Sequence, residues 1–302
     1  MIEYHRELLA DERRTLAYRE AIRQTVKPGD VVVDLGSGSG ILSFLACEAG
    51  AGHVYAIDNG HMADVVTYLA RHLGLSDRVT VFHQLSTEVV LPRPADVLVT
   101  ETMGSLGYDE HILGYILDAR KRLLRQGAAI IPRNVALHIV PVELPEVYRK
   151  HIDFWSEPRY GFDLTPLRFF ASNSLGYVQL DLTAGIAAEA RLIDVDLRTH
   201  ETTLVSGQTT FRAERDATVH GFGAWFTTTL AEGVSLSTRE PGATHWRHVF
   251  LPLEVPLTVA RGDEIRLELE TDDGKVWRWR GTAAGAEFDQ MTRFAAPPCV
   301  IA

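Results

Sequence analysis

The chain has 302 residues, 46% of them hydrophobic and 23% charged, a composition that suits a soluble protein long enough for two domains. Its formal net charge of −10 excludes nonspecific binding to nucleic acid, which needs a positive footprint, and would help attract a cationic substrate. No apolar run of about 18 residues predicts a membrane span, the charged N-terminus has no apolar signal-peptide core, and Cys47 and Cys299 form neither a disulfide framework nor a metal motif, so the expectation is a reducing, cytoplasmic setting with no metal, no membrane and no nucleic-acid partner.

The opening stretch, MIEYHRELLADERRT, reads as a charged helix. VVVDLG (31–36) is a buried strand, and ILSFLACEAG (41–50) a helix closing on glycine. HVYAID (53–58) is a second strand and MADVVTYLARHLG (62–74) a second crossover helix. RVTVFH (78–83) and ADVLVTE (95–101) are strands three and four. Residues 109–126 read as a helix stopped by Gly127, before a fifth strand, AAIIP (128–132). This alternation predicts an α/β domain with a parallel, doubly wound sheet over residues 1–132.

After Pro132 the apolar residues recur with period two, as in VALHIVPVE, GYVQLDL, RLIDVDL, EIRLELE and KVWRWRG. Residues 133–302 therefore predict an antiparallel β-barrel or sandwich. One helical, aromatic-rich interruption at 145–168 reads as an inserted arm, with Trp155, Tyr160 and Phe162 expected to pack.

The sharpest local signal is VVVDLGSGSGILSF. Gly36, Gly38 and Gly40 follow a buried strand and open a helix, so a ligand can approach the backbone closely. The spacing is G-x-G-x-G, unlike the G-x-G-x-x-G of dinucleotide binders. Asp34 precedes the turn, and Asp58, ending the next strand, is placed to accept from a ribose diol. This combination points to S-adenosyl-L-methionine; a glycine turn without a ligand is the plainer alternative.

In TETMGSLGYDE (100–110), Glu101 ends the fourth strand and Glu110 follows nine residues later. Ligands of open α/β sheets bind beyond the carboxyl ends of the strands, so this loop should lie beside the methyl donor. Two carboxylates on one site repel unless a cation sits between them. A guanidinium fits: it is planar, permanently charged, and gripped bidentately by paired carboxylates. A second reading stays open, with Glu101 a solvated strand-end acid and Glu110 favoured by a helix dipole.

These residues resemble the protein arginine methyltransferase family. TETMGSLGYDE is similar to its double-glutamate loop, with the Met-Gly after the first acid. HRELLADERRTLAYR (5–19) resembles its N-terminal cofactor-covering helix, THW (244–246) its Thr-His-Trp loop, and YGFD (160–163), after HIDFW, its dimerisation arm. The resemblance implies a Rossmann-like class I methyltransferase domain, a β-barrel with an inserted helical arm at about 145–168, and a head-to-tail homodimer. It implies that Glu101 and Glu110 hold the substrate guanidinium, with Met103 and Trp246 lining its pocket. It places the cofactor on Arg14 (carboxylate), Asp34, Gly36, Gly38, Gly40, Asp58 (ribose), Glu88 (adenine side) and Glu101. It pairs Asp11 with His245 as a proton-relay dyad, whereas without the family pattern His245 reads as a packed barrel histidine. The acceptor is then an arginine-containing protein or peptide; free arginine or another guanidino metabolite, and a cofactor-binding protein without turnover, are the rivals.

The chain also departs from the family pattern. The aromatic segment expected before the first helix has no counterpart here, which implies a more open site, another cover or a misassigned start. Thr102 stands where the family has Trp, Leu8 where it often has Met, and Thr87 where an adenine-contacting acid is expected, beside Glu88. The loop from Ser105 to Tyr108 is smaller and less aromatic than usual.

Overall fold

The computed structural model describes residues 2–292; Cys299 lies outside the described residues. The chain groups into two compact units. One comprises residues up to Ala136 with Asp194–Thr203 and Thr227–Trp246, and the other Leu137–Ile193, Leu204–Phe226 and the chain from Arg247.

The first unit is built on a parallel sheet of β1 (Val31–Leu35), β2 (His53–Asp58), β3 (Val79–His83), β4 (Ala95–Thr100) and β5 (Leu124–Ile131), in the order β3-β2-β1-β4-β5. Every residue of β1 is buried, as expected of a central parallel strand covered on both faces. After α1 (Ile2–Ala10) and α2 (Glu12–Thr25), the crossover helices are α3 (Ile41–Glu48), α4 (Met62–His72) and α5 (Ile112–Arg122). α4 shows why they form: Met62, Ala63, Val66 and Ala70 make one buried stripe. The order reverses at β1, which lies between β2 and β4. The carboxyl ends of β1, β2 and β4 therefore converge where such sheets bind ligands.

Two boundaries differ from the sequence reading. The single N-terminal helix is broken at Asp11, whose side chain caps α2 by accepting from Arg14 N. The helix expected over 109–126 occupies only Ile112–Arg122, and β5 begins at Leu124. Gly127, at φ +73°, lies within that strand and does not stop the helix. The β4–β5 register shifts between Ala95 and Val97, the mark of a bulge, which the helical run of basic residues concealed.

The remaining strands are antiparallel. A sheet of β6 (Asn134–Val142), β7 (Gly176–Val178), β8 (Ala190–Asp196), β10 (Ala217–Ala231) and β12 (His248–Val259) runs β7-β12-β10-β6-β8, with β11 (Val234–Ser237) on β10. A second sheet runs β15 (Ala286–Met291), β14 (Trp277–Ala283), β13 (Glu264–Asp272), β9 (Leu204–Arg212). The start of β14 alternates: Trp277 and Trp279 are buried while Arg278 and Arg280 turn outward to Asp289 and Glu268. Trp279 Nε1–H donates to Pro252 O across 2.8 Å, joining the two sheets. Such a bond contributes about 0.5–1.5 kcal/mol net.

The arm is less helical than its composition suggests. α6 (Pro145–His151) and α7 (Leu167–Ser172) flank a tight hairpin in which Arg159 and Phe162 exchange backbone hydrogen bonds of 2.9 Å. Tyr160 and Gly161 form its tip, both at positive φ (54° and 83°), the signature of a type I′ turn. Tyr148 anchors α6, its hydroxyl shared between Leu253 O and Glu254 O. The expectation that the arm aromatics pack holds for half-buried Trp155, which meets Phe154 edge-on, but fails within this chain for Tyr160 and Phe162, 97% and 69% exposed. Among the described residues no helix is long and apolar enough to cross a membrane.

Candidate active site

The glycine turn starts where β1 ends. Gly36 N and Ser37 N both donate to Ile57 O, at 2.9 and 3.0 Å, folding the chain back onto β2. Gly36 and Gly38 sit at φ +75° and +49°. A Cβ at Gly36 would lie 2.8 Å from Thr102 Cγ2, and one at Gly38 2.9 Å from the His5 ring. Neither position has room for a side chain, so the backbone stays bare.

Asp58 closes the turn. Its Oδ2 accepts from Gly38 N (2.8 Å) and its Oδ1 from Gly60 N (2.7 Å). The carboxylate is fixed, and each oxygen keeps a second lone pair for a ligand hydroxyl. Asp34 is fully buried and takes a 2.6 Å hydrogen bond from Ser43 Oγ. Burial pushes its carboxyl up to about 7, against the hydrogen bonds from Ser43, while nearby Asp58 adds to the rise. Its Oδ1 is buried without a hydrogen-bond partner.

A cavity of about 400 Å³ opens at this end of the sheet. Gly36, Asp58, Gln84, Ser86, Glu110 and Tyr115 are among its walls. Gly36, Asp58 and Glu110 were legible from sequence. Gln84, Ser86 and Tyr115 were not, although Gln84 and Ser86 follow the third strand, where the fold places ligand contacts. Ser86 Oγ is buried and unpartnered. Glu88 is exposed on the short 3₁₀ turn Ser86–Glu88 and does not line this cavity. Gly38, Gly40, Asp34 and Met103 are not among its lining residues.

The double-glutamate loop leaves β4 at Thr100. Tyr18 Oη donates to Thr100 O (2.9 Å) and Thr100 Oγ1 to Leu35 O (2.7 Å), pinning the strand end to α2 and β1. Glu101 then turns inward and forms a buried ion pair with Arg14, their side chains 9% and 5% exposed. Burial raises the Glu101 carboxyl above its ordinary range, and the Arg14 guanidinium opposes that rise. The cation that the two-carboxylate argument required is thus supplied, on the Glu101 side, by the chain itself. Arg14 Nε remains buried without a partner.

Glu110 is set among like charges instead. Its carboxyl is pushed up to about 7, first by the surrounding protein and then by Glu101 and Asp109. The residue as a whole remains exposed, so it meets both solvent and the cavity. Tyr4 of α1 lies close enough that Glu110 and Glu101 both raise its phenol, after burial. Neither Tyr4 nor His5, which covers Gly38, was singled out from the sequence.

Asp11 and His245 meet as the resemblance implied. Asp11 Oδ1 accepts from Arg14 N (2.9 Å), and Oδ2 accepts from His245 N and faces His245 Nδ1, both at 2.9 Å. Burial works against the Asp11 carboxylate, but the hydrogen bonds from His245 and Arg14 win and hold it below the usual range. A neutral His245 that donates Nδ1–H to the Asp11 carboxylate keeps Nε2 as an acceptor. Trp246 is buried and lies against His245, the rings tilted by 38° with centroids 4.1 Å apart.

These residues fit S-adenosylmethionine. The bare glycine turn, the oriented Asp58 carboxylate, the unpartnered Ser86 Oγ and the unpartnered Arg14 Nε suit a ligand with a backbone-hugging chain, a ribose, polar base edges and a carboxylate.

Comparison with known proteins agrees with this geometry. A family model described as the arginine methyltransferase oligomerization subdomain matches residues 133–282, and one described as ribosomal protein L11 methyltransferase matches residues 15–131. Protein arginine N-methyltransferase 2 of Xenopus tropicalis is 32% identical over 295 residues, covering 92% of this chain and 68% of that protein. Its human counterpart is 31% identical, with 92% and 68% covered. A solved chain of the Trypanosoma brucei PRMT1 enzyme–prozyme heterotetrameric complex with AdoHcy shares the fold, with a TM-score of 0.86 at 22% identity over 97% of this chain and 99% of that one. The chain belongs to the protein arginine N-methyltransferase family of S-adenosylmethionine-dependent enzymes.

Proposed function

We propose that this enzyme transfers a methyl group from S-adenosylmethionine to a guanidino nitrogen of arginine in proteins or peptides. The observation that carries this reading is the loop holding Glu101 and Glu110, with Glu101 already paired to Arg14 and Glu110 open to the cavity. When bound, the cofactor supplies an electrophilic methyl on a sulfonium. The chain supplies alignment and charge placement. Glu110 and the outer face of Glu101 grip the guanidinium and concentrate its positive charge away from the attacking nitrogen. Arg14, Asp58 and the Gly36–Gly40 turn would hold the cofactor so that it gives up this methyl to that nitrogen and keeps the S–CH₃ bonding pair. The acceptor nitrogen loses its proton, and His245 Nε2, oriented by Asp11, is set to receive it.

On this reading Arg14 holds the cofactor carboxylate, Asp58 the ribose and the Gly36–Gly40 turn the remainder, with Met103 supporting the acceptor loop and Trp246 walling the acceptor pocket. Residues 1–132 serve the cofactor and 133–302 the substrate and assembly. The working form is a cytoplasmic homodimer in which the arm, with its exposed Tyr160 and Phe162, seats on a second copy.

The test is methyl transfer from labelled S-adenosylmethionine to an arginine- and glycine-rich peptide, its lysine-substituted twin and free arginine. Label on the arginine peptide alone is the expected result. Label on free arginine alone, or on none, overturns the protein-arginine assignment.

A further inference from the structure

The loop between the two glutamates is tied by a residue that neither glutamate requires. Asp109 N donates to Met103 O (3.0 Å), and Asp109 Oδ2 accepts from Leu106 N (2.8 Å). The chain from Met103 to Asp109 is thereby closed into a ring. Gly104, at φ +64°, is the ring's other half: a Cβ there would lie 2.6 Å from Asp109 Cβ. Only a residue without a side chain leaves Asp109 its place. The next residue is Glu110, and after it His111, a non-glycine at φ +64°, starts α5. The direction in which Glu110 points is therefore set by the ring on one side and by a left-handed turn on the other.

Asp109 also carries a charge into the site. Asp109, Glu110 and His111 line the same cavity as Gly36 and Asp58. The groups that face Glu110 are Glu101 from the end of β4, Asp109 from the loop and Tyr4 from α1, with His111 and Asp58 in the same walls. Arg14 is bonded to Glu101 and offsets its charge.

We propose that Asp109 is a positioning residue for the acceptor: it locks the loop that aims Glu110, and it gives the acceptor side a third carboxylate that favours a permanently cationic side chain over a neutral one. The proposal rests on the arginine reading for its acceptor, but not for its geometry. Asp109 works through Glu110. The neighbouring charge of Asp109 makes Glu110 harder to ionise, so the acid limb of acceptor binding rises in pH when Asp109 is present and falls when it is removed.

The experiment compares wild type, Asp109→Asn and Asp109→Ala. Asp109→Asn keeps an oxygen for Leu106 N and removes the charge. The first readout is independent of turnover: carboxyl ¹³C NMR of glutamate-labelled protein, with Glu110→Gln identifying the signal. In Asp109→Asn the Glu110 inflection should fall by roughly half to one pH unit. The second is kcat/KM against pH with the arginine peptide. Asp109→Asn should shift the acid limb down by the same amount, and Asp109→Ala, which also frees the loop, should lose about tenfold or more in kcat/KM. A Glu110 inflection identical in wild type and Asp109→Asn overturns the proposal, as does an Asp109→Ala enzyme with wild-type kcat/KM. Should the wild type leave the arginine peptide unlabelled while the inflection still moves, the activity reading fails and the assignment of Asp109 stands.

Discussion

Replacing Arg14 by methionine tests the buried pair at the centre of the site. In the wild type, Arg14 and Glu101 are 5% and 9% exposed and bonded to each other. Removing one partner of such a pair leaves an uncompensated buried charge, which costs about 3–5 kcal/mol. At about 2–4 °C per kcal/mol, the melting temperature of the ligand-free protein should fall by roughly 6–20 °C. The loss should depend on pH in a defined sense. Burial already raises the Glu101 carboxyl above its ordinary value despite Arg14. Without Arg14 it rises further, so the folded state holds the Glu101 proton more tightly than the unfolded chain does. Stability from such a group is fully present below the unfolded carboxyl pKa and is lost as pH rises through the folded one. Arg14→Met should therefore be destabilised more at pH 8 than at pH 5. The double variant Arg14→Met/Glu101→Gln, which buries no charge, should regain most of the loss at pH 8. The assay is thermal and urea unfolding of the three proteins at both pH values, without cofactor. An equal loss at pH 5 and pH 8, or a double variant no more stable than the single one, refutes the argument.

Asp58→Ala removes the acceptor for Gly38 N and Gly60 N together with the proposed ribose contact, and calorimetry should show S-adenosylmethionine binding weakened by about 1–3 kcal/mol. Gly36→Ala places a methyl group 2.8 Å from Thr102 Cγ2 at a positive φ, so it should weaken cofactor binding, and Thr102→Ser in the same chain should restore part of it if that contact is the cause. Asp34, raised to about 7, contributes stability that is complete below the unfolded pKa of about 3.9 and lost as pH rises through 7; Asp34→Asn should gain stability relative to wild type between pH 5 and pH 8 in urea titrations. Tyr160→Asp with Phe162→Asp changes only side chains exposed within this chain, so it should leave the melting temperature of the fold nearly unchanged while light scattering shows the particle mass halved.

The parallel sheet was legible because its signals are local. β1 is a run of buried residues closed by a glycine turn, and α4 carries its apolar stripe at helical spacing, so each element follows from its own few residues. The boundaries that slipped are those where local and distant preferences compete. Residues 123–127 have helical composition, yet Ala95 N bonds to Leu123 O and the chain turns into β5 there. The arm reads as helix because its residues favour one, while the paired backbone bonds of Arg159 and Phe162 impose a hairpin. In the site, the glycine turn, Asp58 and both glutamates announce themselves through spacing. The ion pair of Arg14 with Glu101 spans 87 residues and is set by how α2 lies on the end of β4, which no periodicity records. Gln84 and Ser86 escaped notice because polar residues after a strand are commonplace. The His5 ring against Gly38 was equally hidden, since it is a matter of where α1 ends up.

Asp11 joins two duties that are usually separate. One oxygen holds the first turn of α2, and the other holds both the backbone and the ring of His245. A single proton on that carboxylate would loosen a helix start and a histidine loop at the same moment. Because the carboxyl is held below its ordinary range, both are secure at neutral pH and give way only as pH falls through that lowered value. Acid therefore reaches the start of α2 and the His245 loop through one switch. Asparagine at position 11 would keep one acceptor oxygen for Arg14 N but turn an NH₂ group toward His245, separating the two duties that the carboxylate joins.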